Sequence, residues 1–434
     1  MKANSVESNV NQFFFLRIKK IWSYFWSESL AFKCICAFLF IEFFRPQSIF
    51  TFLSVVPWGS IFLGLAILSS FLDKDSKFRI TKFHILILTF AVIVHLSFTV
   101  AFNIHFSQKY YINFIQWIIV FFVVSTIVTN KTRFYAFFIV WFACVFKIAL
   151  GTAKVWALRG FAFTSWGLMG PQGYFQNSGE LAILMLTLFP VAYYLYQRLK
   201  KDIRLWERLV LLLAVITPVL TILGASSRGA QIALLVQLIL MFWKRIFRPR
   251  AFILIALVLW AGWNLLPAEQ KERFTSIGED RSSIQRKLYW NHGWDMMKDY
   301  PILGVGYYNF IPYYAAHYPD DVLYDKVELP HNIFIQVGTD AGFTGLLLFV
   351  SIILTSLLSK YPKSQSHLTK DEFIFYDMWK GIKLGVVGFT IAGQFVTVAY
   401  YPFLWYAVAM QVCILSAMKS SNGETLIKHK HLTK

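Results

Sequence analysis

The chain has 434 residues, 57% of them hydrophobic, 18% aromatic and only 15% charged, where soluble domains carry roughly 25% charged residues. A mean hydropathy of +0.53 over that length exceeds what one buried core produces, since soluble proteins keep a large polar surface; a soluble globular protein is excluded and lipid is the expected solvent. The formal charge of +19 falls in short Lys/Arg clusters between apolar runs, with no aromatic-basic soluble segment of the kind that binds nucleic acid, so it points to membrane orientation and to no nucleic-acid partner.

Residues 1–28 are polar and mixed and lack the apolar core and cleavage site of a signal peptide. A spanning helix needs about 20 mostly apolar residues. Twelve runs meet that need, near 29–46, 52–72, 83–102, 110–129, 134–152, 178–197, 208–225, 228–243, 251–267, 331–358, 380–399 and 403–418. The expected fold is therefore all-α and polytopic: a cytoplasmic segment 1–28, nine spans in 29–267, a large outer loop 268–330 holding short helices, three spans in 331–418 and a cytoplasmic tail 419–434. Cytoplasmic loops collect Lys and Arg, and with both termini inside, the inner segments hold 28 cations against 12 outside, seven of these in the long loop beside ten acids.

The outer segments carry the residues capable of chemistry. Gly170 to Glu180 forms a Gly/Asn-rich turn into the sixth span, where Asn177 is either a helix cap or a substrate contact. The run Ser226-Ser227-Arg228-Gly229-Ala230 places a guanidinium at the outer membrane boundary; it either snorkels to headgroups or forms an anion site with short residues around it. In the long loop, residues 284–298 predict a helix with cap candidates Arg281, Ser282 and Ser283, ended by Tyr300-Pro301. Its aromatics, Tyr289 and Trp290 among them, favour the membrane interface, with Arg281 and Arg286 facing the bundle mouth or lipid phosphates. Gly304 and Gly306 read as a plain turn rather than a phosphate cradle, and Asp320-Asp321 as a solvated loop tip rather than a metal site. Pro330-His331-Asn332 opens the tenth span and puts His331 in its first turn. The four cysteines, Cys34, Cys36, Cys144 and Cys413, lie in apolar runs as small hydrophobes. Lys147, within the fifth span, has no explanation at this level.

The string SSRGA at 226–230, the segment beginning RKLYW at Arg286 with the downstream DYPILGVGYYNF, and PHNIFIQVGTDAGFTGLLLF at 330–349 together resemble the O-antigen ligase and polymerase superfamily of bacterial surface-glycan transferases, over about residues 165–350. The resemblance implies a multi-pass protein of the bacterial inner membrane with its active site facing the periplasm. It implies an undecaprenyl diphosphate-linked glycan as donor, bound through Arg228 and Arg286 with Arg281 as the rival to Arg286. His331 is then the catalytic residue that activates an acceptor hydroxyl, and Asn177 and Tyr289 are possible substrate contacts. The acceptor is lipid A-core for a ligase or a growing glycan for a polymerase, membrane lipid is the remaining partner, and no cofactor or metal is expected. A lipid-linked glycan flippase or transporter is the reading from a different class, since fold-level arguments do not separate them; the position of Arg228 and His331 near the outer boundary favours chemistry there.

Overall fold

The computed structural model describes residues 17–164, 166–246 and 280–432, with isolated positions 260, 264, 271 and 278, and side chains as far as Lys419. Among the described residues the secondary structure is helical, with no strand. The helices are α1 (Ile18–Ser27), α2 (Leu30–Phe44), α3 (Pro46–Ile49), α4 (Trp58–Ser70), α5 (Lys82–Thr99), α6 (Ile104–Ile127), α7 (Lys131–Leu158), α8 (Ser178–Leu199), α9 (Leu205–Gly224) and α10 (Arg228–Ile246). After the long loop's α11 (Arg281–Asp299) and α12 (Phe310–His317) come α13 (Ile333–Leu358), α14 (Lys370–Ala392) and α15 (Pro402–Leu432).

Each predicted span except 251–267, which apart from positions 260 and 264 lies outside the described residues, coincides with a helix. Among the described residues seven helical segments are long and apolar enough to cross a membrane: α5 to α9, α13 and the Pro402–Lys419 part of α15. The count of twelve is not reached on that measure. At 15 and 13 residues α2 and α4 rise only about 20 Å against a hydrocarbon layer of about 30 Å, α10 carries Arg228, Lys244 and Arg245, and α14 starts with Lys370, Asp371 and Glu372.

Helix α8 is apolar on all sides and lies at the centre, as a helix without a polar face must. Against it α14 sets Gly381 and Gly385, four residues apart on one face; a Cβ at Gly381 would stand 2.6 Å from the Val191 Cα and one at Gly385 3.2 Å from the Thr187 Cα. Small residues at this spacing let helix backbones close on each other where no hydrophobic gradient drives packing. Gln237 of α10 ties the pair together, its amide donating to the carbonyls of Leu186 (2.9 Å) and Leu384 (2.8 Å).

The bundle has two chemically distinct ends. At one, Arg133, 1% exposed, pairs with Glu28 and Asp73, each at 2.7 Å, while Glu372 takes both Lys131 (3.0 Å) and Lys363 (2.6 Å). The other end carries the loops. There α11 begins one residue after Asp280, whose carboxylate accepts the Ser283 N–H at 3.0 Å; the cap is Asp280 and not Arg281, Ser282 or Ser283. The turn 301–306 wedges into a break in α13, where Ala341 and Gly342 leave helical geometry. The Phe343 N–H donates to the Pro301 carbonyl and the Val305 N–H to the Thr339 carbonyl, both at 2.8 Å. Gly304 (φ 67°) lies against the backbone of Thr339 and Ala341 with no room for a side chain, so this glycine serves the close approach of a turn to a helix.

Candidate functional site

Three stretches of chain meet at the loop-bearing end. The first is the corner between α9 and α10, where Ser226 adopts φ 54°, a conformation that a non-glycine residue holds only when its surroundings enforce it, and delivers Arg228 to the first position of α10. The second is α11 with the residues before and after it. The third is the non-helical strap 393–401 between α14 and α15. Gly229 packs against Phe395 of the strap, and the His331 N–H donates to the Thr397 hydroxyl at 2.9 Å. The Ile333 N–H donates to the Gly393 carbonyl at 2.8 Å.

The two predicted phosphate-binding arginines come together. Arg228 Nη2 lies 3.6 Å from Asp280 Oδ2, which links the membrane helix to the start of α11. Further along α11, Arg286 is half-buried and its Nε–H has no hydrogen-bond partner among the described residues. Burial, and then the charge of Arg228, push the Arg286 guanidinium below its ordinary value, against the pull of Asp280, Tyr324 and Glu328. Two like charges held this close gain from an anion placed between them. The Asp280 carboxyl is held low: burial works upward, but the Ser283 hydrogen bonds and then Arg228 outweigh it.

His331 precedes α13 instead of sitting in its first turn. Asn332 is the cap, accepting the Phe334 N–H at 2.8 Å, and His331 itself has φ 51°, a region that histidine enters more readily than most side chains. That turn aims the imidazole back at Glu328, whose Oε2 lies 3.3 Å from His331 Nε2. Glu328 is pulled below the usual carboxylate range first by the hydrogen bond from His331, then by the charges of His331, Lys326 and Arg286. An acid that engages one ring nitrogen leaves the other to accept a proton, the arrangement of a base with its orienting partner.

The remaining predicted residues hold the frame. Tyr289, 1% exposed, packs on Phe310 and Tyr314, and its hydroxyl accepts the Glu328 N–H at 2.9 Å, so it props the acid from behind. Trp290 Nε1–H donates to the Pro330 carbonyl at 2.8 Å and fixes the approach to His331. Arg281 stacks over Tyr324 at 4.9 Å. Asn177 caps α8, accepting the Gly179 N–H at 2.8 Å. Asp321 is not a free loop tip: it pairs with His292 at 2.7 Å. Lys147 lies over the Phe44 ring at 4.5 Å. Sequence reasoning passed over Glu328, Asp280 and Thr397. The spacing Glu328-x-x-His331 was the one available signal for the first, and Asp280 followed by Ser283 for the second.

Residues 212–350 match the family model described as O-antigen ligase. The match bears out the resemblance to the O-antigen ligase and polymerase superfamily, a glycosyltransferase-like group, and it spans Arg228, Asp280, Arg286, Glu328 and His331. No curated protein matches the chain.

Proposed function

We propose that the chain is an O-antigen ligase. It moves a glycan from undecaprenyl diphosphate to a hydroxyl of lipid A-core at the periplasmic face of the bacterial inner membrane, with both termini cytoplasmic. The observation that carries this reading is the pair Arg228 and Arg286, with Arg228 near enough for its charge to oppose that of Arg286, set beside His331 and its acid Glu328. The division into nine spans, the loop 268–330, three further spans and a tail belongs to the same proposal.

In the reaction, Arg228 and Arg286 grip the diphosphate by charge-assisted hydrogen bonds, and Arg281 on its Tyr324 platform stands at the edge of that grip. The acceptor oxygen bonds to the anomeric carbon as the bond from that carbon to the diphosphate oxygen breaks. The proton of the acceptor hydroxyl passes to the His331 imidazole, and the charge arriving on the departing diphosphate is met by the two arginines. A single displacement inverts the anomeric centre. This displacement needs no metal and no cofactor.

The test uses purified protein with lipid-linked donor and lipid A-core acceptor, in the presence of EDTA. Transfer is expected, and His331→Ala is expected to retain donor binding without transfer. Transfer onto a lipid-linked repeat unit instead of lipid A-core would make the protein a polymerase of the same superfamily, and translocation without bond formation would replace the enzyme with a flippase.

A further inference from the structure

A cavity of about 430 Å³ lies at the loop-bearing end, under the strap 393–401, within the range of small-ligand pockets at about 300–1,000 Å³. Its polar wall is Glu42 and Arg45 from the end of α2, with Asn113 and Gln116 one turn apart on α6. Its aromatic wall is six tyrosines, of which Tyr110 and Tyr308 stack at 3.9 Å between centroids. Ionisable residues at membrane depth face protein or a wet cavity and mark substrate paths by default. Here Arg45 is held at φ 54° over Gly173, where a Cβ would collide with its guanidinium, and its buried Nε–H has no hydrogen-bond partner among the described residues. Asn113 and Gly173 are exposed and form the mouth.

A carboxylate, a guanidinium and two amides beside tyrosine faces suit a molecule with many hydroxyls and small apolar patches, which is a sugar. The order along the strap places it. Phe395 touches Gly229 beside Arg228, Thr397 receives the His331 N–H, and Tyr400 and Tyr401 line the cavity. Thr397 to Tyr400 spans at most about 10 Å, so the cavity lies within a sugar residue or two of His331, which comes between it and Arg228 in the order of contacts along the strap. An inverting displacement brings the acceptor to the side of the anomeric carbon opposite the diphosphate. We therefore propose that this cavity binds the terminal sugar of the acceptor glycan and presents its hydroxyl to His331; the proposal rests on the transferase reading above.

The probe is lipopolysaccharide that ends at its core sugars, with lipid A lacking core sugars as the control, and the protein carries His331→Ala in lipid nanodiscs so that binding is read without turnover. Asn113→Trp at the mouth is expected to weaken core-lipopolysaccharide binding at least tenfold while lipid A and undecaprenyl diphosphate bind as before. Gln116→Ala, which adds no bulk, is expected to weaken it about threefold and carries the test should Asn113→Trp fail to fold. Unchanged affinity in either folded variant overturns the proposal. With His331 restored, the acceptor KM should rise at least tenfold in Asn113→Trp at constant donor KM. Failure of the transferase reading shows instead as no transfer in any variant while the binding differences persist.

Discussion

The imidazole of His331 lies 3.3 Å from the Glu328 carboxylate, and the left-handed backbone of His331 itself turns its ring back onto the acid. Glu328→Gln keeps the shape and removes the charge that orients and steadies a protonated ring. It is expected to lower kcat by about 10- to 100-fold with donor affinity unchanged, a smaller loss than the roughly 10² to 10⁴ of His331→Ala. Single-turnover transfer with preloaded donor measures both; equal rates for Glu328→Gln and the parent protein would leave the acid without a part in proton transfer.

Arg286 has neighbours that both oppose and support its charge, and a buried Nε–H without a hydrogen-bond partner among the described residues. Replacing Arg286 by Lys keeps the charge and loses the fork, and is expected to cost about 10² in kcat/KM for donor. Arg281→Lys, on an exposed residue stacked over Tyr324, should cost under tenfold. The reverse ranking in steady-state kinetics would exchange the roles of the two arginines.

Strong acid should loosen the far end of the bundle. Asp73, between α4 and α5, is brought down to about 2: burial raises it, but the Arg133 and Ser76 hydrogen bonds and the Arg133 charge prevail. A carboxyl depressed from its usual 3.8 contributes stability that is fully present above pH 4 and is lost as pH falls toward 2, about 2 kcal/mol over that window. Asp73→Asn should flatten that stretch of a melting-temperature profile against pH. Arg133→Ala strands two buried carboxylates and should destabilise by about 3–5 kcal/mol at neutral pH.

Gly304→Ala is expected to destabilise by about 2 kcal/mol or more, because both a positive φ and the Thr339 and Ala341 backbone stand in the way of a methyl group. A thermal melt in detergent checks it. The same substitution at Gly64, where a Cβ meets nothing within 4 Å, should be neutral or mildly stabilising.

What could be read from the sequence follows range. Helices such as α7 and α8 are local, and a run of 20 apolar residues is enough to announce them. Arg228 and His331 stood out as polar groups at span boundaries and Arg286 as a basic residue of the loop helix, but their roles came from resemblance, since no periodicity relates positions 58 and 45 residues apart. The Thr397 contact to His331 spans 66 residues, and the break at Gly342 sits in a run whose composition is continuous helix; its cause is a turn from elsewhere in the chain. Placing His331 inside α13 failed because Asn332 competes as a cap, and its side-chain oxygen reaches two N–H groups, which a proline-based start does not anticipate.

The knot around Arg133 draws together Glu28, Asp73 and Arg133, all from the first third of the chain. It can close while the ribosome is still making α8, and domains that fold during synthesis do so from the amino end. The early helices would then enter the bilayer as a stapled raft against which later hairpins dock. Loss of that staple should surface first as degraded nascent protein in cells, ahead of any defect in the finished protein.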